Sequence, residues 1–324
     1  MVEHHQIDEL KQLLEQSPRV LLTGPAGVDG DSIGACLALA QGIEQHLGKS
    51  VDVAGVAPYR YDWMPGADKL LADDELEGVY DLVIVMDGDK GRLTQGMNKT
   101  FAEAKARGLI DHHGTNSPDG YDIAMIDGGA AATVVMVAEI FDRWGVELNR
   151  ELAENLYVGL IFDTGGFRHS NTSPEVLRLA ARLVEQEIDA AWICYRVLSE
   201  RTPPALSLLS STLTNRTLHN ERLNVGVCTL EAMKSAGAEK ADLEGIVDAL
   251  LYVRGVDLAM LVVELPGERV KLSLRSRGDV DVAAFARSMS PQGGGHVKAA
   301  GVTIKGPLDE VVNRAVSALL AQAG

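Results

Sequence analysis

Apolar positions recur at helical spacing across residues 6–16, where Ile7, Leu10, Leu13 and Leu14 predict an amphipathic helix. The run RVLLT at 19–23 predicts a short buried strand. After the glycine-rich GPAGVDGDSIG, a second helical face runs through Ile33, Leu37, Ala40, Ile43 and Leu47. Strands are expected again at 50–56 (SVDVAGV) and at 81–87 (DLVIVMD), the latter apolar on both faces as a strand inside a parallel sheet must be. GLIDHH at 108–113 ends a fourth strand, and helices are expected near 131–144 and 151–161. Alternating strand and helix predict a doubly wound, mainly parallel α/β sheet over 1–190.

Residues 172–218 read as mainly helical, punctuated by Pro203 and Pro204, with 191–218 expected as a helical linker. The pattern then restarts. Strands are expected at 222–230, 257–265 and 269–276, with a helix near 240–252. GGGHVKAAG at 293–301 precedes a strand VTIKG and a last amphipathic helix at 307–322. These elements predict a smaller α/β domain over 219–324.

Composition agrees with two folded domains: the chain has 324 residues, 46% hydrophobic and 23% charged. Its length exceeds the roughly 150 residues of one ordinary domain. No uncharged apolar run approaches the roughly 20 residues that a spanning helix needs. The opening MVEHHQIDELKQLLEQ is polar and acidic, unlike a signal peptide. Cys36, Cys194 and Cys228 lie far apart with no paired spacing, so no disulfide framework is expected and a cytoplasmic location is. The net charge of −16 and the absence of a basic stripe argue against binding long nucleic acid. A small anionic substrate would need local cations, which bound metal would supply.

Four segments carry the candidate chemistry: Asp29-Gly-Asp31, Asp87-Gly-Asp89, Asp111-His112-His113 and Asp163-Thr-Gly-Gly. The first three follow predicted strands, and ligands of open α/β sheets gather beyond the carboxyl ends of the strands. Clustered carboxylates repel unless a cation neutralises them, and Asp with His suits Mn, Fe, Zn or Mg. Taken singly, each segment also fits an ordinary turn or helix cap. GPAGVDGDS is not a phosphate loop, because Pro25 stands at its first glycine and Asp31 at its lysine. In the second half, glycines 293–295 with His296 and Lys298 would let backbone amides approach an anion, and the small residues after them suit a helix start. Arg275-Ser276-Arg277 would add two forked cations and a hydroxyl.

VDGD at 28–31, Asp87 with Arg92, Asp111-His112-His113, DTGGFRHSNTS at 163–173 and GGGHVKAAG at 293–301 occur in one order along nearly the whole chain. In that order the chain resembles the DHH phosphoesterase superfamily with a C-terminal DHHA1 domain, most of all its short oligoribonuclease and pAp-phosphatase group. The resemblance implies a Mn²⁺-dependent hydrolase of short oligoribonucleotides, linear dinucleotides and pAp-like nucleotides, with Mg²⁺ or another divalent ion as substitute. It implies that Asp29 and Asp87 hold one metal, and that Asp31, Asp87, His112 and Asp163 hold a second, with Asp87 bridging. His113 would face the scissile phosphate and Asp111 would orient the histidines. Arg275, Ser276, Gly294, Gly295 and His296 would grip the far end of the substrate, across a cleft between the domains. Homodimers are common in the group, which makes a second copy of the chain a candidate partner.

One motif departs from the family. Its first signature is HxxPDxD, and here Pro25 stands at the histidine and Val28 at the proline. Proline has no side-chain donor, so the first metal loses a ligand, with Asp89 as the nearest replacement. Two other readings follow: a non-catalytic nucleotide-binding protein, or a phosphodiesterase of cyclic dinucleotides.

Overall fold

A computed structural model describes residues 3–322; Met1, Val2, Ala323 and Gly324, the ends of the expected domains, lie outside it. The chain divides into two compact units, Met1–Glu200 and Arg201–Gly324.

The first unit runs α1 (His4–Gln16), β1 (Val20–Thr23), α2 (Gly30–Leu47), β2 (Asp52–Ala54), β3 (Leu82–Met86), α3 (Gln95–Glu103), β4 (Ala106–Asp111), β5 (Ile123–Ile126), α4 (Thr133–Trp144), α5 (Arg150–Asp163), α6 (Pro174–Val184) and α7 (Ala190–Cys194). Its strands form one five-stranded parallel sheet in the order β2-β1-β3-β4-β5. Side chains of β3 alternate between two cores. Leu82, Ile84 and Met86 join the helical face of α2, α4 and α5, while Val83 and Val85 pack with Met97 and Phe101 of α3. This two-sided burial is why the strand reads as an unbroken apolar run.

Helix α2 starts at a capping box in which Asp29 and Ser32 satisfy each other's backbone amides. It packs closely on α5: a side chain at Gly34 would lie 2.5 Å from the Asn155 carbonyl oxygen. The strand β5 is absent from the sequence expectation, because its four residues IAMI lie between turns and show no long alternation.

The second unit runs α8 (Pro203–Thr214), β6 (Thr217–His219), β7 (Leu223–Cys228), α9 (Leu230–Ala236), α10 (Ile246–Leu250), β8 (Leu258–Leu265), β9 (Arg269–Ser276), α11 (Val282–Met289), β10 (Gly294–His296), β11 (Ala299–Lys305) and α12 (Leu308–Gln322). Its six strands order as β10-β11-β9-β8-β7-β6, antiparallel except for β7 with β8. The expected linker 191–218 is divided between the units: α7 and a π-helical turn, Tyr195–Ser199, fall in the first, and α8 falls in the second.

Two expectations need correction here. The helix expected over 240–252 is a 3₁₀ turn, Lys240–Leu243, and a short α10, separated where Gly245 takes φ 75°. The small residues after GGGH open a strand, β11, and not a helix. Ala300, Val302 and Ile304 are buried alternately there, a period of two that helical packing cannot use.

Candidate metal centre

Hydrogen bonding carries the β3–β4 ladder one step past β3, where the Asp87 amide donates to the Ile110 carbonyl at 3.0 Å. Asp87 therefore stands beside Asp111 at the carboxyl edge of the sheet. Its φ of 57° turns the chain sharply out of the strand, and Gly88 follows against buried Pro25.

His112 is the hub of the site and is buried. Its Nδ1 faces the Ala130 carbonyl oxygen at 3.3 Å. That contact turns Nε2 toward three carboxylates, with Asp163 at 3.0 Å, Asp87 at 3.4 Å and Asp31 at 3.8 Å. Asp31 comes from the first turn of α2 and Asp163 from the last of α5. A backbone carbonyl behind a histidine is the usual means of fixing the tautomer of a ligand.

The neighbouring histidine is held differently. His113 Nδ1 lies 2.7 Å from Asp111 Oδ1, and the Asn116 amide donates to Asp111 Oδ2 at 2.6 Å. Asp111 is fully buried, so its two oxygens fix both His113 and the 113–116 turn. The two imidazole rings stand edge to face, their centroids 4.7 Å apart.

Electrostatics follow from this crowding. Burial pushes the Asp31 carboxyl well above the ordinary range, and the charges of Asp87 and Asp163 push it further. Burial opposes ionisation of Asp87 too, but the His112 hydrogen bond and the charges of His113, His112 and Arg92 outweigh it and hold that carboxyl low. Burial disfavours a charged His112, yet its hydrogen bonds to Asp163 and Asp87 push its pKa up to about 12. The Cys36 thiol lies near these carboxylates, and burial raises its pKa, so it offers no thiolate. Three carboxylates around one imidazole nitrogen, with no thiolate, form a donor set that fits a divalent cation such as Mn²⁺ or Mg²⁺.

Asp29 and Asp89 each also accept a backbone amide. Asp29 Oδ1 accepts the Ser32 amide at 3.0 Å, and Asp89 Oδ1 accepts the Gly91 amide at 2.9 Å. Among the described residues, sets of three prospective ligand atoms within 4.8 Å form from Asp31, Asp87 and His112, and from Asp87, Asp111 and His113; neither set contains Asp29 or Asp89.

Several contributors escaped sequence reasoning because they act on backbone groups or through a missing side chain. Asn171 reaches both the Ala131 and Asp163 carbonyl oxygens, at 2.9 and 3.2 Å, tying the end of α5 to the loop before α4. Gly159 on α5 lies against Asp31: a Cβ there would sit 2.5 Å from Val134 Cγ1 and 2.7 Å from Asp31 Oδ1. Gly159→Ala should therefore destabilise the fold by about 1–3 kcal/mol, the usual cost of overpacking a core. It should also weaken metal uptake by displacing Asp31. Equal denaturation midpoints for variant and wild type would contradict this packing account.

In the second unit the sheet register lines up the other expected residues. Arg275 pairs with Ala299, and Ala299 with His296, so all three share one row at one end of the sheet. Arg275 Nε donates to Asp248 Oδ1 at 2.8 Å. Ser276 is buried, its hydroxyl 3.4 Å from the Gly278 carbonyl oxygen. Gly295 has φ 129°, and a Cβ on it would meet the Ala299 carbonyl oxygen at 2.5 Å, so only glycine fits beside β11.

Residues 19–160 match the DHH family, N-terminal domain, and residues 223–323 match the DHHA1 domain. The bifunctional oligoribonuclease and PAP phosphatase NrnA of Thermus thermophilus is 34% identical over 90% of this chain and 86% of its own length. Its namesake in Bacillus subtilis is 26% identical over 60% of this chain and 61% of its own. The crystal structure of an exopolyphosphatase-related protein from Bacteroides fragilis is similar across 99% of this chain and 97% of its own, with a TM-score of 0.87 and 25% identity.

Proposed function

The chain belongs to the DHH family and carries a DHHA1 domain, and from that premise we propose that it hydrolyses phosphoester bonds in short nucleotides. The substrates are short oligoribonucleotides, linear dinucleotides and pAp-like nucleotides, and the metal is Mn²⁺. The observation that carries this reading is His112 Nε2 lying within 4 Å of the Asp31, Asp87 and Asp163 carboxylates. The names of the Thermus and Bacillus relatives support the substrate class.

Asp31, Asp87, His112 and Asp163 hold one metal, and Asp87 with Asp29 holds another. Pro25 supplies no donor to that second ion, and Asp29 already caps α2, so it is the more weakly held. A divalent cation held by these residues would supply Lewis-acid chemistry and offset phosphate charge. The chain's own groups do the rest. Asp111, braced by Asn116, fixes His113 through Nδ1 so that the opposite ring nitrogen faces the scissile phosphate. Arg275, Ser276, Gly294, Gly295 and His296 bind the remote phosphate. Among the described residues no helix is long and apolar enough to cross a membrane, and all three cysteines are free; a cytoplasmic location is part of the same proposal. A homodimer is part of the same reading, and sedimentation tests it.

The deciding assay gives the purified chain Mn²⁺ with pAp, pGpG, a short RNA ladder and a cyclic dinucleotide. Turnover of the linear substrates supports the reading, and turnover of the cyclic one alone replaces it. Nucleotide binding without turnover would make the chain a non-catalytic binder, the reading that the Pro25 departure favours. Arg275→Ala should raise KM about 10-fold or more, the loss of one charge-assisted hydrogen bond, while metal content stays unchanged. A collapsed kcat at constant KM would remove Arg275 from substrate binding.

A further inference from the structure

Two of the buried carboxylates in the metal centre meet at the N-terminus of α4. We infer that Thr133, the first residue of that helix, is a positioning residue that sets the Asp87 carboxylate for metal binding. The inference rests on the proposed reading of the centre as a metal site.

A helix leaves its first amides without intrahelical partners, and a polar N-cap side chain usually accepts from them. The N-cap of α4 is Ala132, which has no such side chain. Asp31, distant in sequence, accepts instead: the Thr133 amide donates to Oδ2 at 2.6 Å and the Val134 amide to Oδ1 at 3.0 Å. The Thr133 hydroxyl donates to Asp87 Oδ1 at 3.2 Å. One residue thus grips both carboxylates, Asp31 by its amide and Asp87 by its side chain. Thr133, Asp31 and Asp87 are all buried, so water does not substitute for these bonds.

Helix formation does not ask for threonine here, since a β-branched residue is a modest helix former. Valine would fill the same volume, so the hydroxyl is what distinguishes threonine. Asp87 also sits in a left-handed backbone conformation, and its Oδ1 lies 3.4 Å from His112 Nε2. Without the hydroxyl, the carboxylate is released toward His112, and a tighter ion pair there competes with a cation for the same two atoms. With it, Oδ1 is held on the α4 side, and the carboxylate keeps lone pairs directed into the centre.

The test titrates Mn²⁺ alone into metal-free wild type, Thr133→Val and Thr133→Ser by calorimetry, and measures kcat and KM for pAp on the same preparations. Thr133→Val should weaken Mn²⁺ binding about 10- to 100-fold, the range for groups that orient metal ligands, and lower kcat at limiting Mn²⁺ with KM within about twofold. Thr133→Ser should restore binding to within about threefold, since it keeps the hydroxyl and loses only a methyl group. Wild-type affinity in Thr133→Val overturns the inference. So does a Thr133→Ser variant as weak as Thr133→Val, which would assign the effect to packing. Should Thr133→Val fail to fold by circular dichroism, Thr133→Ala reads the same loss of the hydroxyl. A wild type that takes up no Mn²⁺ overturns the metal-site reading and this inference with it. A wild type that binds Mn²⁺ beside an unimpaired valine variant overturns the inference alone.

Discussion

His112→Ala should leave the chain folded and stop phosphoester hydrolysis. The imidazole Nε2 is the point on which Asp163, Asp87 and Asp31 converge, at 3.0, 3.4 and 3.8 Å. Removing it takes away a donor and leaves three carboxylates facing one another without their positive counterpart. In the metal-free protein Asp31, which burial already pushes toward its protonated form, takes up a proton and relieves the repulsion, so the fold survives. Mn²⁺ affinity should fall by more than about 100-fold, beyond the range typical of losing a group that only orients a ligand. His112 is a better choice than Asp31 for this test, because Asp31 also caps α4 and its loss mixes stability with chemistry. Circular dichroism, metal analysis and turnover of pAp read the three outcomes separately. Wild-type turnover in His112→Ala, at limiting or saturating Mn²⁺, would discard the assignment.

The convergence of Asp31, Asp87 and His112 was legible because a parallel sheet sends every strand's carboxyl end to one edge; Asp163, at the end of α5, joined them only through the family resemblance. Strand β3 shows the link directly: five apolar residues in a row can only be covered on both faces, and the first polar residue after them emerges at the rim. The helix-capping reading of Asp29 was also visible, since Asp is favoured at a helix N-cap; the reciprocal bond to Ser32 comes from the structure. What escaped were contributions that sequence chemistry does not mark. Ala130 acts through a carbonyl, Val134 through an amide, and Gly159 through the volume that it leaves empty. Strand β10 was hidden for a related reason: its residues, Gly-Gly-His, have no strand propensity and are held by pairing with β11. Gly245 broke an expected helix where helical apolar spacing alone suggested continuity.

Metal affinity should rise steeply with pH, and the stability of the metal-free chain should move the other way. In that chain His112 is pushed up to about 12 from an ordinary 6.5, so it is an imidazolium across the neutral range. A cation needs the Nε2 lone pair, and the proton on it must leave. The raised Asp31 carboxyl adds to the protons that loading displaces. Releasing one proton on binding strengthens apparent affinity about tenfold per pH unit, or about 100-fold between pH 6 and 8. For the metal-free chain the sign reverses, because the folded pKa of His112 lies above its unfolded value. The stability that it contributes is full below 6.5 and is lost as pH rises toward about 12. Mn²⁺ titrations in two buffers of different protonation enthalpy count the protons released, and thermal melts of the metal-free chain over the same pH range read the opposing trend. Affinity that stays flat from pH 6 to 8 with no proton release would show that Mn²⁺ does not displace the His112 proton, and would place the metal away from this nitrogen.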